Sequence, residues 1–307
     1  MAANTNLTNK AQFTISAREV DFVTRFQDNW DALMQILGIM RPIRKAPGTK
    51  LVSYKASVDG TIAGGSTVAE GDVIPRTKTK VEPVSYSDIV ISKFAKEVSI
   101  EAVDKYGAEM AVEKTDTAFI NALQTKVLGE FYTFLATGTL TLTETTWQGA
   151  LAMAKGKVID KFAGIDKDVT EVIGFANILD AYKYLAEANI TVQTRFGINY
   201  VENFLGYRTL ILLPAKYIAA NKVIALPVEN IDLYYMDPSD SDYAKLGLDY
   251  TVVGNTNLIG VHVVGDYDRA TGLMYAIYGM KLWAEYLDGI AVATVTPASQ
   301  AGGGTGS

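Results

Sequence analysis

Cysteine is absent from the 307-residue chain, and histidine occurs only once. Without thiols the chain can form neither disulfides nor thiolate nucleophiles or metal sites. A single imidazole also leaves histidine-based triads and zinc clusters incomplete in their usual forms. The one histidine, His262, lies in the alternating run Val261-His262-Val263-Val264, where a structural role is favoured. We therefore predict no catalytic, cofactor-binding or metal-binding residues.

Long apolar runs and concentrated positive charge are missing as well. No segment approaches the roughly 18 apolar residues that a membrane helix requires, and Met1 to Asn9 lack the apolar stretch of a signal peptide, so no membrane partner is predicted. Lys and Arg number 28 against 34 Asp and Glu, a formal net charge of −6. Because counterion-driven binding to nucleic acid needs clustered cations, a dedicated DNA-binding protein is disfavoured. These properties predict a soluble protein made and assembled in a cytoplasm.

The glycine-rich segment from Lys50 to Lys80 has the pattern of an extended β-hairpin. Its first limb, Leu51 to Val58, alternates apolar and polar residues as a half-buried strand does. Its tip consists mostly of Gly, Ser, Thr and Ala, which cannot build a core. A lone two-stranded hairpin is marginally stable in water, so this arm needs a surface to lie on. If its own chain does not supply that surface, a neighbouring copy must, which indicates a protein that assembles.

The segment from Ala17 to Leu37 is predicted to be an amphipathic helix. Ser16 and Glu19 have the spacing of a capping box, in which the two side chains bind free backbone amides at the start of a helix. Apolar residues, among them Phe26 and Trp30, recur every three or four positions and form one face. That face packs either on the core of its own chain or on a neighbouring subunit, and the sequence leaves both interpretations open.

A second, longer helix is predicted from about Ala108 to Ala136. It follows a predicted strand from Asp88 to Ala95 and a short helix that Ser99 caps and Gly107 ends. A helix of this length spans about 40 Å, which exceeds the diameter of a small domain. We interpret it as a strut and not as a local packing element.

Mixed α/β patterning follows, beginning with a predicted helix from Trp147 to about Phe162. The apolar runs Thr209 to Leu213 and Lys222 to Leu226 are typical of buried strands. The last part of the chain is rich in predicted strands, namely Asn257 to Gly265, Leu273 to Trp283 and Gly289 to Val295. The turn signal from Asp266 to Gly272 joins the first two of these strands as a hairpin.

One basic patch stands out, made of Arg41, Arg44, Lys45 and Lys50 with Arg76, Lys78 and Lys80 opposite them in the predicted hairpin. Charge of this kind can protect a strand edge from unwanted pairing. It can also form a salt-sensitive contact with an acidic neighbouring subunit, such as the region from Asp232 to Asp249. Within that region, three aspartates lack the glycine and the closing glutamate of a calcium-binding loop, so a solvated acidic turn is favoured there.

Four segments, taken in their order along the chain, resemble a known family: Phe22 to Trp30, Val68 to Pro75, Ala95 to Ala102, and Gly197 to Gly206. In this order the chain resembles the major capsid proteins of tailed bacteriophages with the Hong Kong 97-like fold. The resemblance covers nearly the whole chain as an ordered architecture, and no single motif is diagnostic.

The resemblance implies an α+β fold: the Hong Kong 97-like capsid fold, with an N-terminal arm, an extended β-hairpin loop, a peripheral domain with a long spine helix, and an axial α/β domain. The implied boundaries are 1–45 for the arm, 46–85 for the loop, 86–144 for the peripheral domain, 145–250 for the axial domain, 251–300 for strands that return to the peripheral domain, and 301–307 for a flexible tail.

The function that the resemblance implies is structural and not enzymatic. The chain would self-assemble, as pentamers and hexamers, into an icosahedral phage head that encloses packaged double-stranded DNA without sequence-specific binding. A further implied partner is a portal protein, and scaffolding is expected to be either a separate protein or absent. The expected location is the virion, after assembly in the host cytoplasm. An encapsulin-like nanocompartment shell protein is the alternative within the fold, and an enzyme with a histidine-free site is the alternative outside it.

Candidate subunit contacts follow from the two segments that need a partner surface. On the N-terminal helix they are apolar, and on the hairpin they are apolar or basic. The predicted contact residues are Phe26, Trp30, Leu51, Tyr54, Lys55, Arg76 and Lys78.

Overall fold

The computed structural model describes residues 18–26, 40–50, 52–63, 68–85, 88–165, 167–169, 171–186, 192–195, 198–228, 230–252 and 257–296. The helices are α1 (residues 18–26), α2 (Ile100–Ala108), α3 (Lys114–Leu135), α4 (Trp147–Ala163), α5 (Ile178–Leu185) and α6 (Ser241–Ala244). A π-helical turn, Glu109–Glu113, joins α2 to α3, and 3₁₀ turns occur at Phe204–Gly206 and Leu287–Gly289.

The strands form two larger sheets and a separate hairpin. In chain order they are β1 (Met40–Arg44), β2 (Val52–Val58), β3 (Thr79–Ser85), β4 (Val90–Ser99), β5 (Leu140–Glu144), β6 (Val172–Asn177), β7 (Gln193–Arg195), β8 (Ile198–Glu202), β9 (Thr209–Leu213), β10 (Lys222–Pro227), β11 (Ile231–Tyr235), β12 (Gly260–Asp266), β13 (Thr271–Ala284) and β14 (Ala291–Val295).

Helices α2 and α3 form where the sequence predicts a short helix followed by a long one. The Ser99 side chain accepts a hydrogen bond from the Ala102 amide, which caps α2. Gly107 then adopts a φ of +76°, a conformation that glycine tolerates best, and the chain bends there. The 22-residue helix α3 continues beyond the π-helical turn. One face of α3 is buried along its whole length, through residues that include Ile120, Leu123, Val127, Phe131 and Leu135.

The five-stranded sheet is built around β13, the longest strand. Antiparallel β4 pairs with it over Thr271 to Met280, β12 pairs with it over Thr271 to Ile277, and β11 pairs with its end. Strand β1 adds to β11 in parallel. Helix α3 packs on the inner face, where the rings of Phe94 and Tyr278 stack with centroids 5.6 Å apart.

The seven-stranded sheet has the order β5-β14-β10-β6-β9-β8-β7. Strands β6 and β9 are buried along their whole length. They are buried because α4 and α5 cover one face of the sheet and α3 covers the other. The apolar run of β9 predicted such a buried strand. Phe131 and Tyr132, near the end of α3, meet Phe175 at ring distances of 6.3 and 6.0 Å. Helix α3 therefore packs on both sheets, in agreement with its interpretation as a strut.

Strand β14 lies in a different sheet from β12 and β13, which precede it in the chain. Residues 251–300 were expected to return to the peripheral domain; β12 and β13 lie in the five-stranded sheet, whereas β14 pairs with β10 and, in parallel, with β5 in the seven-stranded sheet. A close backbone approach permits this pairing, because a Cβ added at Gly138 would lie 2.5 Å from the Ile290 carbonyl oxygen. Strand β11, within the expected range 145–250, belongs to the five-stranded sheet instead.

Candidate subunit interface

The hairpin β2–β3 is a two-stranded sheet of its own, separate from both larger sheets. Its register pairs Val52 with Ser85 at one end and Val58 with Thr79 at the other. Beyond the paired strands, the Asp59 amide donates to the Lys78 carbonyl at 2.8 Å, and Gly60 and Gly71 have φ values of +93° and +88°. The pattern predicted from Lys50 to Lys80 is therefore a hairpin, although its second strand continues past Lys80 to Ser85.

The return limb of the hairpin is exposed over its whole described length. Residues 69–83 are all exposed to solvent, and Val73 is the most exposed of their large apolar side chains, at 92 %. Ile74 is 72 % exposed and Val81 is 60 % exposed. Among the described residues, no helix or strand outside the hairpin packs extensively on it. Apolar side chains held in water without cover on their own subunit indicate a surface that a partner covers.

Four of the predicted contact residues lie on this limb or on the strand beside it. Arg76 is exposed just before β3, and Lys78 forms an exposed ion pair with Asp59 at 2.8 Å. On β2, the backbone of Tyr54 lies opposite Pro83, and that of Lys55 lies opposite Glu82. Leu51 lies outside the described residues.

The candidates of the N-terminal helix have a different environment. Phe26 is 2 % exposed and packs in the core of its own subunit, together with Phe22 and Val23 of the same helix. This position agrees with the core-facing interpretation of α1 and leaves the Phe26 ring no surface for a neighbour while α1 stays docked. Trp30 and the predicted helical residues after Phe26 lie outside the described residues.

Sequence reasoning missed the apolar residues that the hairpin exposes most. Val73, Ile74 and Val81, with Ile62 at 73 % exposure, were not predicted as contacts. The signal was available: these residues lie in a segment that has too little apolar area for a core of its own. A second exposed apolar surface lies on and just after α2, where Ile100, Tyr106 and Met110 are each more than half exposed.

One residue of the basic patch forms ion pairs within its own subunit. Arg44, considered as a contact to an acidic neighbouring subunit, pairs within its own chain with Asp240 at 2.7 Å and Asp237 at 3.4 Å. The hydrogen bond with Asp240 raises the pKa of the Arg44 guanidinium. The backbone amide of Asp242, with help from Arg44, lowers the pKa of Asp240. Part of the acidic region is thus neutralised from inside the subunit.

A cavity of about 370 Å³ lies where the two larger sheets meet. Lys167 on its wall donates to a carboxylate oxygen of Glu285 at 3.0 Å and lies 4.5 Å from the centre of the Tyr286 ring. The hydrogen bond with Tyr286 and the bond to Glu285 raise the pKa of Lys167. A protonated, paired lysine ties the two sides of the cavity together, and it is not a nucleophile at neutral pH.

Neither a metal-binding cluster nor a membrane-spanning helix occurs in the part of the chain that the structure describes. There, no group of three or more His, Cys, Asp or Glu residues is arranged to hold a metal ion. The Asp237 carboxylate instead accepts hydrogen bonds from the Ser239 hydroxyl at 2.6 Å and from the Asn257 side-chain amide at 3.2 Å. None of the described helices combines the length and the apolarity needed to cross a bilayer.

Comparison with known proteins identifies the fold. No protein-family model matches the sequence, and no curated protein matches it. Among solved structures, the chain is similar to one from the mature capsid of bacteriophage PhiM1, with 9% identity and a TM-score of 0.53 over 84% of this chain and 86% of that one.

Two further structures show the same likeness. A chain from Mycobacterium phage Patience has 9% identity and a TM-score of 0.52, with 96% of each chain covered. A chain from the holo-SrpI encapsulin complex of Synechococcus elongatus PCC 7942 has 11% identity and a TM-score of 0.52 over 95% of this chain and 94% of that one. The chain therefore has the α+β fold of these phage and encapsulin proteins, and the predicted fold class is confirmed.

Proposed function

We propose that this chain is a major capsid protein with the Hong Kong 97-like fold. In this proposal, copies of it self-assemble into the icosahedral head of a tailed bacteriophage, and the head encloses packaged double-stranded DNA. The observation that carries the proposal is the exposed return limb of the hairpin β2–β3, residues 69–83, on a fold shared with a phage capsid chain. An arm without cover on its own subunit is suited to lie on the next subunit, and repeated contacts of that kind close into shells.

The parts of the fold have corresponding proposed roles. The hairpin is the extended loop, expected at 46–85. The five-stranded sheet with α3 as the spine helix forms the peripheral domain, and the seven-stranded sheet with α4 and α5 forms the axial domain. Strands β5 and β14 are assigned to the axial domain, in place of the boundaries expected from the sequence.

The proposed subunit contacts lie mainly on the hairpin. Tyr54, Lys55, Arg76 and Lys78 are retained, together with Leu51, and the exposed residues Val73 and Ile74 join them. Trp30 remains a proposed contact, whereas Phe26 contributes only if α1 leaves its core position. The return limb would cover the exposed apolar surface of an adjacent subunit, where Arg76 would meet a carboxylate.

The proposed partners are other copies of the chain, arranged as pentamers and hexamers, with a portal protein and a separate scaffolding protein. DNA would be held by enclosure, because a net charge of −6 does not favour tight binding to phosphate. The proposed location is the virion, and assembly would take place in the host cytoplasm.

Electron microscopy of the purified protein in negative stain tests the proposal. We expect closed shells of uniform size, alone or when scaffolding and portal proteins are present. Monodisperse monomers that never assemble, even with those proteins, would overturn it. Hydrogen exchange adds a test of the hairpin: amides of residues 69–80 should exchange quickly in free subunits and slowly in shells, and equal protection in both states would show that the hairpin is held by its own subunit.

An encapsulin-like compartment is the second candidate, because the encapsulin chain has the same fold over 95% of this chain. The two candidates differ in what the shell encloses. Shells purified from the native source and treated with nuclease should retain double-stranded DNA if the chain is a phage capsid protein. Shells that retain a single enzyme and no DNA would favour the compartment instead.

A further inference from the structure

Two adjacent residues of α1, one basic and one acidic, attach this helix to different parts of the subunit. Arg18 donates from Nε and Nη2 to the two carboxylate oxygens of Asp116 on α3, at 2.6 and 2.7 Å. Lys96 of β4 donates to the same carboxylate and, at 3.3 Å, to the Val112 carbonyl. Asp116 is 6 % exposed. The buried carboxylate thus joins α1, α3 and β4 at one point.

The Glu19 side chain forms its hydrogen bonds away from Asp116, at the edge of strand β12. Its Oε2 accepts from the Thr251 hydroxyl at 2.7 Å, and its Oε1 accepts from the backbone amide of Val263. The Glu19 carboxylate was predicted from the sequence to belong to a capping box, but the structure uses it here. Glu19 is 5 % exposed, and the His262 imidazole Nδ1 is 3.9 Å from its Oε1.

The position of Val263 shows what Glu19 covers. In an antiparallel ladder, alternate residues direct their backbone groups to the same edge. Val261 exchanges hydrogen bonds with Thr251 on the edge opposite β13, at 3.0 and 2.8 Å, so the backbone groups of Val263 point to that edge too. Within the described residues, no strand lies beyond Val263 there. The Glu19 carboxylate therefore occupies the position that a further strand would take.

The attachment of α1 is of a kind that can open locally. Three side chains, Phe22, Val23 and Phe26, bury its apolar face, with the Phe22 ring 5.8 Å from that of Phe119. Among the described residues, α1 makes no backbone–backbone hydrogen bond to another element. Terminal elements attached through side chains open at lower free energy than core strands do. An edge strand that loses its cover becomes a template for pairing with another chain.

We propose that α1 is an autoinhibitory cover for the free edge of β12. While α1 is docked through Arg18 and Glu19, the edge is closed; when α1 leaves, the Val263 amide becomes available for strand addition by a second copy of this chain. The proposal rests on the proposed function, since copies of a shell protein meet at high local concentration. A second copy also brings a suitable strand, because the described part of the hairpin β2–β3 has unpaired outer edges.

Arg18→Ala is the central test, because it loosens α1 without touching Val263 or its acceptor. Asp21→Ala is the matched control on the same helix, where Asp21 is exposed and pairs with Arg25 at 3.4 Å. In free subunits, we expect the Val263 amide to exchange about tenfold faster or more in Arg18→Ala, with no change for the Met274 amide of β13. Light scattering should show self-association of Arg18→Ala at concentrations where the control stays dispersed.

A covalent lock provides the reciprocal test. The chain has no cysteine, so Arg25→Cys and Thr117→Cys introduce the only two thiols, at positions whose native side chains touch at 2.9 Å. Joining them with a short bis-maleimide in the Arg18→Ala background should restore slow exchange at Val263 and abolish the self-association. Reaction with a monofunctional maleimide is the control and should restore neither.

Three results would overturn the proposal. Unchanged exchange at Val263 in Arg18→Ala would show that α1 does not open. Equal loss of protection at Met274 would show that α1 unfolds only with the whole subunit. Fast exchange at Val263 without self-association would exclude a second copy as the occupant of the edge. Each result is read in free subunits, so it is separate from whether the unaltered protein forms shells under the microscope.

Discussion

The Asn230 side chain binds the backbone of Tyr286 with both ends of its amide. Nδ2 donates to the Tyr286 carbonyl oxygen at 2.9 Å, and Oδ1 accepts from the Tyr286 amide at 3.0 Å. Asn230 precedes β11, and Tyr286 lies between β13 and β14, so each belongs to a connection that crosses from one larger sheet to the other. The pair therefore joins two crossing connections and helps to set the position of the sheets relative to each other.

Replacing Asn230 should weaken this junction. Asn230 is 4 % exposed, so Asn230→Ala leaves the partly buried carbonyl and amide of Tyr286 without these partners. We expect the free energy of unfolding to fall by about 2 kcal/mol, measured by urea denaturation. Asn121→Ala, at an exposed position of α3, is the control and should change it by less than about 0.5 kcal/mol. Equal effects of the two substitutions would contradict a structural role of the Asn230 amide.

Two glycines should respond to alanine in opposite directions. A Cβ at Gly138 would lie 2.5 Å from the Ile290 carbonyl oxygen, so Gly138→Ala should lower the free energy of unfolding by about 1–3 kcal/mol through overpacking. Gly156, inside α4, has no atom within 4 Å of an added Cβ, and Gly156→Ala should raise it by about 0.5–1 kcal/mol. Thermal unfolding of both variants measures the difference. A stabilising Gly138→Ala would show that β14 does not depend on this close approach.

The exposed hairpin residues should matter for assembly and not for folding. Val73→Ser with Ile74→Ser removes apolar side chains that are 92 % and 72 % exposed, so the melting temperature of free subunits should stay unchanged. Shell yield, measured by sedimentation and microscopy, should fall because the partner loses apolar area to bury. Ile159→Ser, at an apolar position of α4 that is 42 % exposed, is the control and should assemble normally. Normal shells from the hairpin variant would remove Val73 and Ile74 from the interface.

The buried Asp116 carboxylate should make stability depend on pH in acid. Burial raises the pKa of Asp116, but the hydrogen bonds and charges of Arg18 and Lys96 outweigh burial and hold it below the ordinary value. A carboxyl group whose pKa is lowered by folding contributes stability that is complete above its unfolded pKa and is lost as the pH falls through its folded pKa. For an aspartate this loss begins near pH 4 and continues below it.

Asp116→Asn tests this dependence. The variant should be less stable at pH 7, where the carboxylate is charged and paired, and the difference from the unaltered protein should shrink as the pH falls below about 4. Urea denaturation at a series of pH values measures both effects. Asp21→Asn, at an exposed position of α1, is the control and should follow the unaltered protein. A constant difference across the series would show that the charge of Asp116 has no part in its contribution.

The order and type of most elements could be predicted from the sequence. Ser99 and Gly107 mark the ends of a short helix through a side-chain cap and a positive φ, and both act within a few residues. The strands β9 and β10 were predicted from apolar runs, and the turn between β12 and β13 was predicted from its polar and glycine residues. The exposed hairpin was predicted in the same way, from a strand pattern with too little apolar area for a core.

Only the tertiary structure decided which distant segments meet. It placed β14 beside β5 in the seven-stranded sheet, paired Arg44 with Asp240 of its own chain, and directed Glu19 to Val263. Periodicity and caps act between residues a few positions apart, so they determine local conformation and leave such partners undetermined. The partners follow from how the buried faces of both sheets pack on α3, because that packing brings residues separated by up to 244 positions within hydrogen-bond distance.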